Sequence, residues 1–424
     1  MTKLFSAACL GLALGLCVST ATAESNAPAR VSVLTMGPGD HPFARFGHNA
    51  ILLEWPSEGR AVVYNFGTFA FDGLDGVRDF MAGRFRYWLS VSTLPRTLRV
   101  YSRQRRSLVA QELALSENER LELKNALEEN ALPEHRFYNY DYYLDNCSTR
   151  VRDALDRLLR GQLGHELKGQ PGRLTFREHT ERLTAEAGAT YFGLDLALGP
   201  LTDRPTTRWY ELFVPGELHD ALAKSTRSEQ GKRVPLVQGE RVLLTADRPP
   251  MRTEPPFRSP AFGAVGVALG AVLALLGRVA RKRSLARVAF GVVTALLGLV
   301  LGLLGSVFIV FWAFTKHWAA YRNENILLCP PWALAFLVFG LGLALGRERS
   351  IRRCHGLLTL SAASALLALL LSFIPRLGQD NTRSAALLAP LWLGLYLGSA
   401  WLSGRSPWPT QIVEPIDSTR TKPI

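Results

Sequence analysis

Asp145-Asn146-Cys147-Ser148-Thr149-Arg150-Val151-Arg152-Asp153-Ala154-Leu155-Asp156-Arg157-Leu158-Leu159-Arg160 begins polar and becomes amphipathic. Val151, Ala154, Leu155, Leu158 and Leu159 recur at helical spacing, which predicts a helix over 147–160. Asp145 or Asn146 would cap it. Cys147 then falls in the first turn, where the helix dipole and unpaired N–H groups favour thiolate and can hold an oxyanion. A lone cysteine is often just a small buried hydrophobe. Here the residues on both sides of it are polar, which is not a core setting. A thiolate nucleophile needs a base. His48 follows Gly47 at the head of a β-rich stretch. A Cys/His pair distant in sequence suits covalent acyl transfer or hydrolysis.

Working outward, residues 48–55 and 61–67 are β-rich and the turn residues from Pro56 to Gly59 separate them, which predicts a hairpin. A further strand is expected over 93–101. Residues 117–130 should be helical, with Ser116 as cap and Glu119 three residues on. Helices and strands in separate runs indicate an α+β domain. Asn65, on the strand paired with that of His48, is the candidate to orient the imidazole, with Thr68 as fallback. Asp145, Asn146, Thr149 and Arg150 are expected to support the helix start. His41 is a candidate gate, and Asp195, Asp203 and Arg204 either brace the site or pair on the surface. The soluble part has no HExxH, paired CxxC, Walker loop or GxSxG, so no metal and no cofactor is expected.

Charge divides the chain. Residues 24–257 hold 31 basic and 31 acidic residues, whereas 258–405 hold 15 and 3. The net charge of +13 therefore belongs to an apolar region and is no nucleic-acid footprint. Lys3, the apolar run 4–18 and Ala21-Thr22-Ala23 predict a signal peptide over 1–23. An extracytoplasmic domain should follow over 24–247, then a proline-rich linker over 248–258. Apolar stretches at 260–277, 288–314, 326–345, 356–375 and 384–402 predict a helical membrane domain of five spans over 259–405. Ten basic residues fall on one side of these spans and five on the other. That places the tail 406–424 in the cytoplasm and the N-terminal domain outside a bacterial inner membrane. Four GxxxG pairs, Gly266/Gly270, Gly298/Gly302, Gly342/Gly346 and Gly394/Gly398, are expected to pack helices within the bundle.

Tyr140-Asp-Tyr-Tyr-Leu-Asp-Asn-Cys-Ser-Thr-Arg-Val-Arg-Asp153 resembles the signature of the Lnb N-terminal periplasmic domain family. Phe46-Gly-His-Asn-Ala-Ile51, Tyr64-Asn-Phe-Gly-Thr-Phe69, Phe192 to Gly199, Asp203-Arg204 and Glu211 to Pro215 are similar to its other motifs, in order. Thr315-Lys-His-Trp-Ala-Ala-Tyr-Arg-Asn-Glu-Asn-Ile-Leu-Leu328 resembles the family's outer-turn motif, with Lys316 where an acidic residue is usual. His317, Asn323 and Asn325 are thereby candidate membrane-side site residues. The resemblance implies a circularly permuted, papain-like (NlpC-like) fold in which the His strand precedes the Cys helix. It also implies a Cys/His acyltransferase acting on lipid or lipoprotein esters through a thioester, with a membrane partner and no nucleic acid. The alternatives are a peptidoglycan amidase or endopeptidase, and a non-catalytic envelope assembly or transport partner.

Overall fold

The computed structural model describes residues 26–69, 73–229, 231–374 and 378–404. The expected signal peptide and cytoplasmic tail lie outside the described residues. The chain begins with β1 (Arg30–Met36), β2 (His48–Trp55) and β3 (Arg60–Thr68), followed by α1 (Gly73–Met81), β4 (Phe85–Thr93), α2 (Leu94–Arg103) and β5 (Leu108–Leu113). Then come α3 (Glu117–Asn130), β6 (Phe137–Tyr140), α4 (Cys147–Leu158), α5 (Gln162–Leu167), α6 (Phe176–Thr184), α7 (Gly188–Ala197), α8 (Arg208–Glu211) and α9 (Pro215–Lys224). A small hairpin, β7 (Thr226–Glu229) and β8 (Lys232–Pro235), leads into β9 (Val237–Leu244).

Seven strands form one antiparallel sheet in the order β6-β4-β3-β2-β1-β5-β9. Alternation along the strands gives it two buried faces. Val31, Val33, Ile51, Leu53 and Phe66 pack with Val151 and Leu155 of α4. Leu34, Met36, Ala50, Leu52 and Val63 pack with Leu94, Leu98 and Tyr101 of α2 on the other face. The domain is α+β, as the sequence predicts. The hairpin β2–β3 and the helix α3 form where expected. Ser116 accepts from Glu119 N at 3.4 Å and its own N–H donates to Glu119 Oε2 at 2.7 Å, closing a capping box.

The strand expected over 93–101 is corrected. The strand ends at Thr93, whose side chain accepts from Arg96 N, and α2 begins at Leu94 with Pro95 in its first turn. Proline is preorganised for a helix start and has no N–H to give a strand ladder. Leu94, Leu98 and Tyr101 meet the sheet at helical spacing.

Among the described residues, five helical segments are long and apolar enough to cross a membrane: α10 (Ser259–Ala280), α11 (Ser284–Phe314), a third over Glu324–Ala344, α13 (Glu348–Leu371) and α14 (Thr382–Leu402). The third starts as 3-10 turns, and only α12 (Phe336–Ala344) is regular α-helix. Pro330 and Pro331 account for this, because each lacks a backbone donor. The irregular stretch is sheltered: Leu328 and Cys329 are fully buried. The glycine pairs pack helices inside the bundle. A Cβ on Gly270 would come within 2.3 Å of Pro390 O, and one on Gly394 within 2.1 Å of Gly270 O. The pair Gly342/Gly346 is different: Gly346 has a left-handed φ of +74° and forms the turn before α13.

The bundle end that carries residues 315–325 is docked against the soluble domain. Lys316 N donates to Ala82 O at 3.0 Å and Gly199 N to Ala319 O at 2.7 Å. Asn323 Nδ2 donates to Leu196 O at 2.7 Å and Asn325 Nδ2 to the same carbonyl at 3.0 Å. Arg383, at the head of α14, pairs with Asp195 at 3.2 Å and with Glu181.

Candidate active site

Cys147 is the first residue of α4. Asn146 caps that helix, its Oδ1 accepting from Ser148 N at 2.9 Å and Thr149 N at 3.0 Å, and Thr149 Oγ1 accepts from Asn146 N at 2.7 Å. Asn146 Nδ2 also donates to Tyr142 O and Phe213 O, both at 2.9 Å. The cap is therefore fixed from three directions. The Thr149 N–H is engaged by this cap, and the Ser148 N–H is shared between the cap and the Cys147 sulfur. Asn146→Ala should cost about 1–2 kcal/mol. A thermal melt of the detergent-solubilised protein would measure it, and no change would mean that the cap does not hold the helix start.

Asp145 and Arg150 pair in a fork at 2.5 and 2.6 Å, and the Arg150 guanidinium lies 4.1 Å from the Tyr138 ring centroid. Both brace the loop beside Cys147. Asp141 begins that loop, accepting from Tyr143 N and Leu144 N at 2.9 Å on one oxygen and from Trp318 Nε1 at 2.5 Å on the other. The membrane bundle thus touches the segment that presents the cysteine.

His48 is the first residue of β2 and Gly47 before it has a left-handed φ of +87°. The imidazole Nε2 meets Asn65 Oδ1, which leaves Nδ1 as the nitrogen for the thiol. An extra residue in β3 creates a bulge between Asn65 and Thr68. Within it, Gly67 takes a left-handed φ of +88°, and a Cβ there would stand 3.5 Å from Cys147 Cβ and 3.7 Å from His48 Cε1. Thr68, the fallback orienter, bonds Ser90 Oγ at 2.6 Å instead.

Burial alone would raise the Cys147 thiol pKa. The charge and hydrogen bond of His48 outweigh it, and the N–H groups of Asn49 and Ser148 add to them, so the pKa is held below the ordinary thiol value. Burial likewise opposes a charged His48, but the thiolate and Asn65 raise its pKa above the ordinary imidazole value. Each group thus favours the charged form of the other. Burial, with the thiolate adding to it, pushes Tyr87 up to about 12 and Tyr140 well above its ordinary value, so both phenols stay neutral. Their rings stack at 4.1 Å beside the site.

The structure brings Cys147, His48 and Asn65 together and places Asp145, Asn146, Thr149 and Arg150 around the helix start. It puts His317, Asn323 and Asn325 at the dock between soluble domain and bundle. His317 Nε2 meets Phe80 O at 3.2 Å, and burial lowers its pKa. Asp195 and Asp203 neither brace the cysteine nor pair on the surface. They share the buried Arg177, at 3.5 and 2.5 Å, next to the dock. His41 is exposed, its ring 5.4 Å from Phe43. Sequence reasoning missed Gly67 and the Asn49 N–H. The motif Tyr64 to Phe69 was the available signal for the first, and the second depends on strand register. Among the described residues no group of three or more His, Cys, Asp or Glu side chains could hold a metal ion.

The chain matches two family models, the Lnb N-terminal periplasmic domain over residues 19–182 and the Lnb transmembrane domain over 254–398. No curated protein and no solved structure matches it. The first match contains His48, Asn65 and Cys147, and the second begins just before α10 and runs through Gly398 of α14. With soluble and membrane parts matched in chain order, the chain belongs to the Lnb family of multi-span membrane proteins with a periplasmic N-terminal domain.

Proposed function

We propose that this protein is a cysteine-dependent acyltransferase of the bacterial inner membrane, acting on lipid or lipoprotein esters at the periplasmic face. The observation that carries the reading is Cys147 at a capped helix start, paired with His48 and held on a loop that the membrane bundle itself braces through Trp318 and Asp141. Asn65 orients the imidazole, and His317, Asn323 and Asn325 seat the catalytic domain on the bundle.

In the first half-reaction the thiolate adds to a lipid ester carbonyl. The C–O bond then breaks, and the His48 imidazolium gives its proton to the departing glyceryl alkoxide. The acyl group is now a thioester on Cys147. In the second half-reaction an amine attacks that carbonyl, His48 takes the amine proton, the C–S bond breaks and the thiolate returns. The α-amino group of a lipoprotein's diacylglyceryl-cysteine is the acceptor suggested by family membership. The C-terminus lies in the cytoplasm, in keeping with the positive-inside charge pattern.

The test is mass spectrometry of lipoprotein N-terminal peptides from a strain whose lipoproteins keep a free amine, expressing wild type or Cys147→Ala. N-acylated, mono-acylglyceryl peptides are expected with the wild type alone. Their absence with a folded, membrane-inserted wild type would remove the lipoprotein substrate. Cleaved wall peptides in their place would favour the amidase reading.

A further inference from the structure

α1 is a helix turned inside out. It spans Gly73–Met81, and none of its residues is buried. Leu74, Val77 and Met81 fall on one face at helical spacing and are 87%, 49% and 48% exposed, while Asp75 and Asp79 lie on the opposite side. A surface helix of a water-soluble domain turns such a face to its core. Here only Phe80, at the edge of the stripe, packs inward, its ring 4.9 Å from Phe85.

The position of the helix identifies what covers the open face. Its C-terminal end is tied to the bundle: Phe80 O meets the His317 ring, Ala82 O accepts from Lys316 N, and a Cβ on Gly83 would stand 3.0 Å from His317 N. Lys316 follows α11 by two residues, so the C-terminal end of α1 meets the end of that span. The last residue of α11, Phe314, is 79% exposed, and Trp312 is exposed beside it, which is the aromatic signature of a lipid–water boundary. α1 thus continues the lipid-facing surface of the bundle onto the soluble domain. From Phe80 the contacts lead toward the cysteine: Phe85 packs edge-on against Tyr87, which stacks on Tyr140.

We infer that α1 lies in the outer leaflet with Leu74, Val77 and Met81 among the lipid chains, and forms the threshold across which a membrane lipid's acyl ester reaches Cys147. The occupant of this face is the lipid surface. The inference rests on the lipid-ester reading for the role of the threshold, but the placement of α1 stands separately and is tested without turnover.

Full-length protein carrying Cys147→Ala and a nitroxide at Leu74→Cys, Val77→Cys or Asp75→Cys would be reconstituted in phosphatidylglycerol–phosphatidylethanolamine vesicles. Cys9 and Cys17, in the expected signal peptide, are replaced by serine, and Cys329 and Cys354 are fully buried in the bundle, which directs the label to the introduced thiol. Labels at 74 and 77 should collide with oxygen more than with a water-soluble nickel complex, and the label at 75 the reverse. If 74 and 77 are as open to nickel as 75, the face is in water. If they are closed to both reagents, protein covers it. Either result overturns the placement. In an otherwise native chain, Leu74→Glu with Val77→Glu should then slow acyl uptake from vesicles at least about tenfold while alkylation of Cys147 by iodoacetamide is unchanged. Unchanged uptake would remove the threshold role. Absence of uptake in the wild type would instead count against the acyltransferase reading and leave the nitroxide result intact.

Discussion

Replacing His48 with alanine should abolish acyl transfer, by about 10⁴-fold or more, because the imidazole serves as partner to the thiolate and as proton carrier in both half-reactions. Its effect on the thiol can be read separately. His48 supplies the two strongest effects that hold the Cys147 pKa below the ordinary thiol value. Without His48, burial is opposed only by the Asn49 and Ser148 N–H groups, so the pKa rises. Iodoacetamide alkylation of wild-type Cys147 should therefore persist at pH values where an ordinary thiol has stopped reacting. In His48→Ala the profile should move to alkaline pH, and the rate near pH 7 should fall at least about tenfold. The sign for His48 is consistent. Its raised pKa keeps the imidazolium present to higher pH while the lowered thiol pKa brings in the thiolate at lower pH, so both shifts favour the pair. An unshifted alkylation profile in His48→Ala would show that the imidazole does not set the thiol's charge.

Cys147 and its helix were legible because caps and first turns are local. Asn146, the cysteine and the Val151/Leu155/Leu158 stripe lie within a dozen residues, and each makes the contact its type predicts. The same holds for Ser116 with Glu119. The start of α2 was equally local, with Thr93 as cap and Pro95 behind it, but the hydrophobic run through Val100 concealed a helix period as a strand. The pairing of Asn65 with His48 depends on register. Tyr64 lies opposite Ile51, yet one extra residue between Asn65 and Thr68 shifts the rest of the strand, and a single-residue shift reverses which face a side chain occupies. Strand β9 was out of reach for a different reason, since it pairs with β5 from more than a hundred residues away. Asp195 and Asp203 had no local signal either. Their partners, Arg177 and Arg383, come from α6 and α14, and only the docked fold brings the four together.

That dock should be the costliest place to remove a charge. Arg177 is fully buried and uses its whole fork: Nε donates to Asp203 Oδ1 at 2.5 Å, and its two terminal nitrogens reach Asp195 O at 2.9 Å and Leu198 O at 2.8 Å. Asp203 in turn accepts from Asp380 N at 3.3 Å, from the loop that leads into α14. Methionine fills much of the arginine's volume but removes the arginine's donors from Asp203 and two carbonyls. Breaking one side of a buried ion pair costs about 3–5 kcal/mol, so Arg177→Met should melt well below the wild type in detergent. Lysine restores the charge but cannot fork, and Arg177→Lys should recover only part of the loss. The exposed pair Arg160–Glu122, at 2.7 Å, provides the contrast within the same domain. Water already solvates both of its charges, so Arg160→Met should cost less than about 1 kcal/mol. Equal and small shifts for the two methionine variants would mean that the buried cluster is not what holds the soluble domain on its membrane bundle. A large shift confined to Arg177 would locate the coupling between Cys147's domain and the spans in α6 and α7 rather than in the linker before α10.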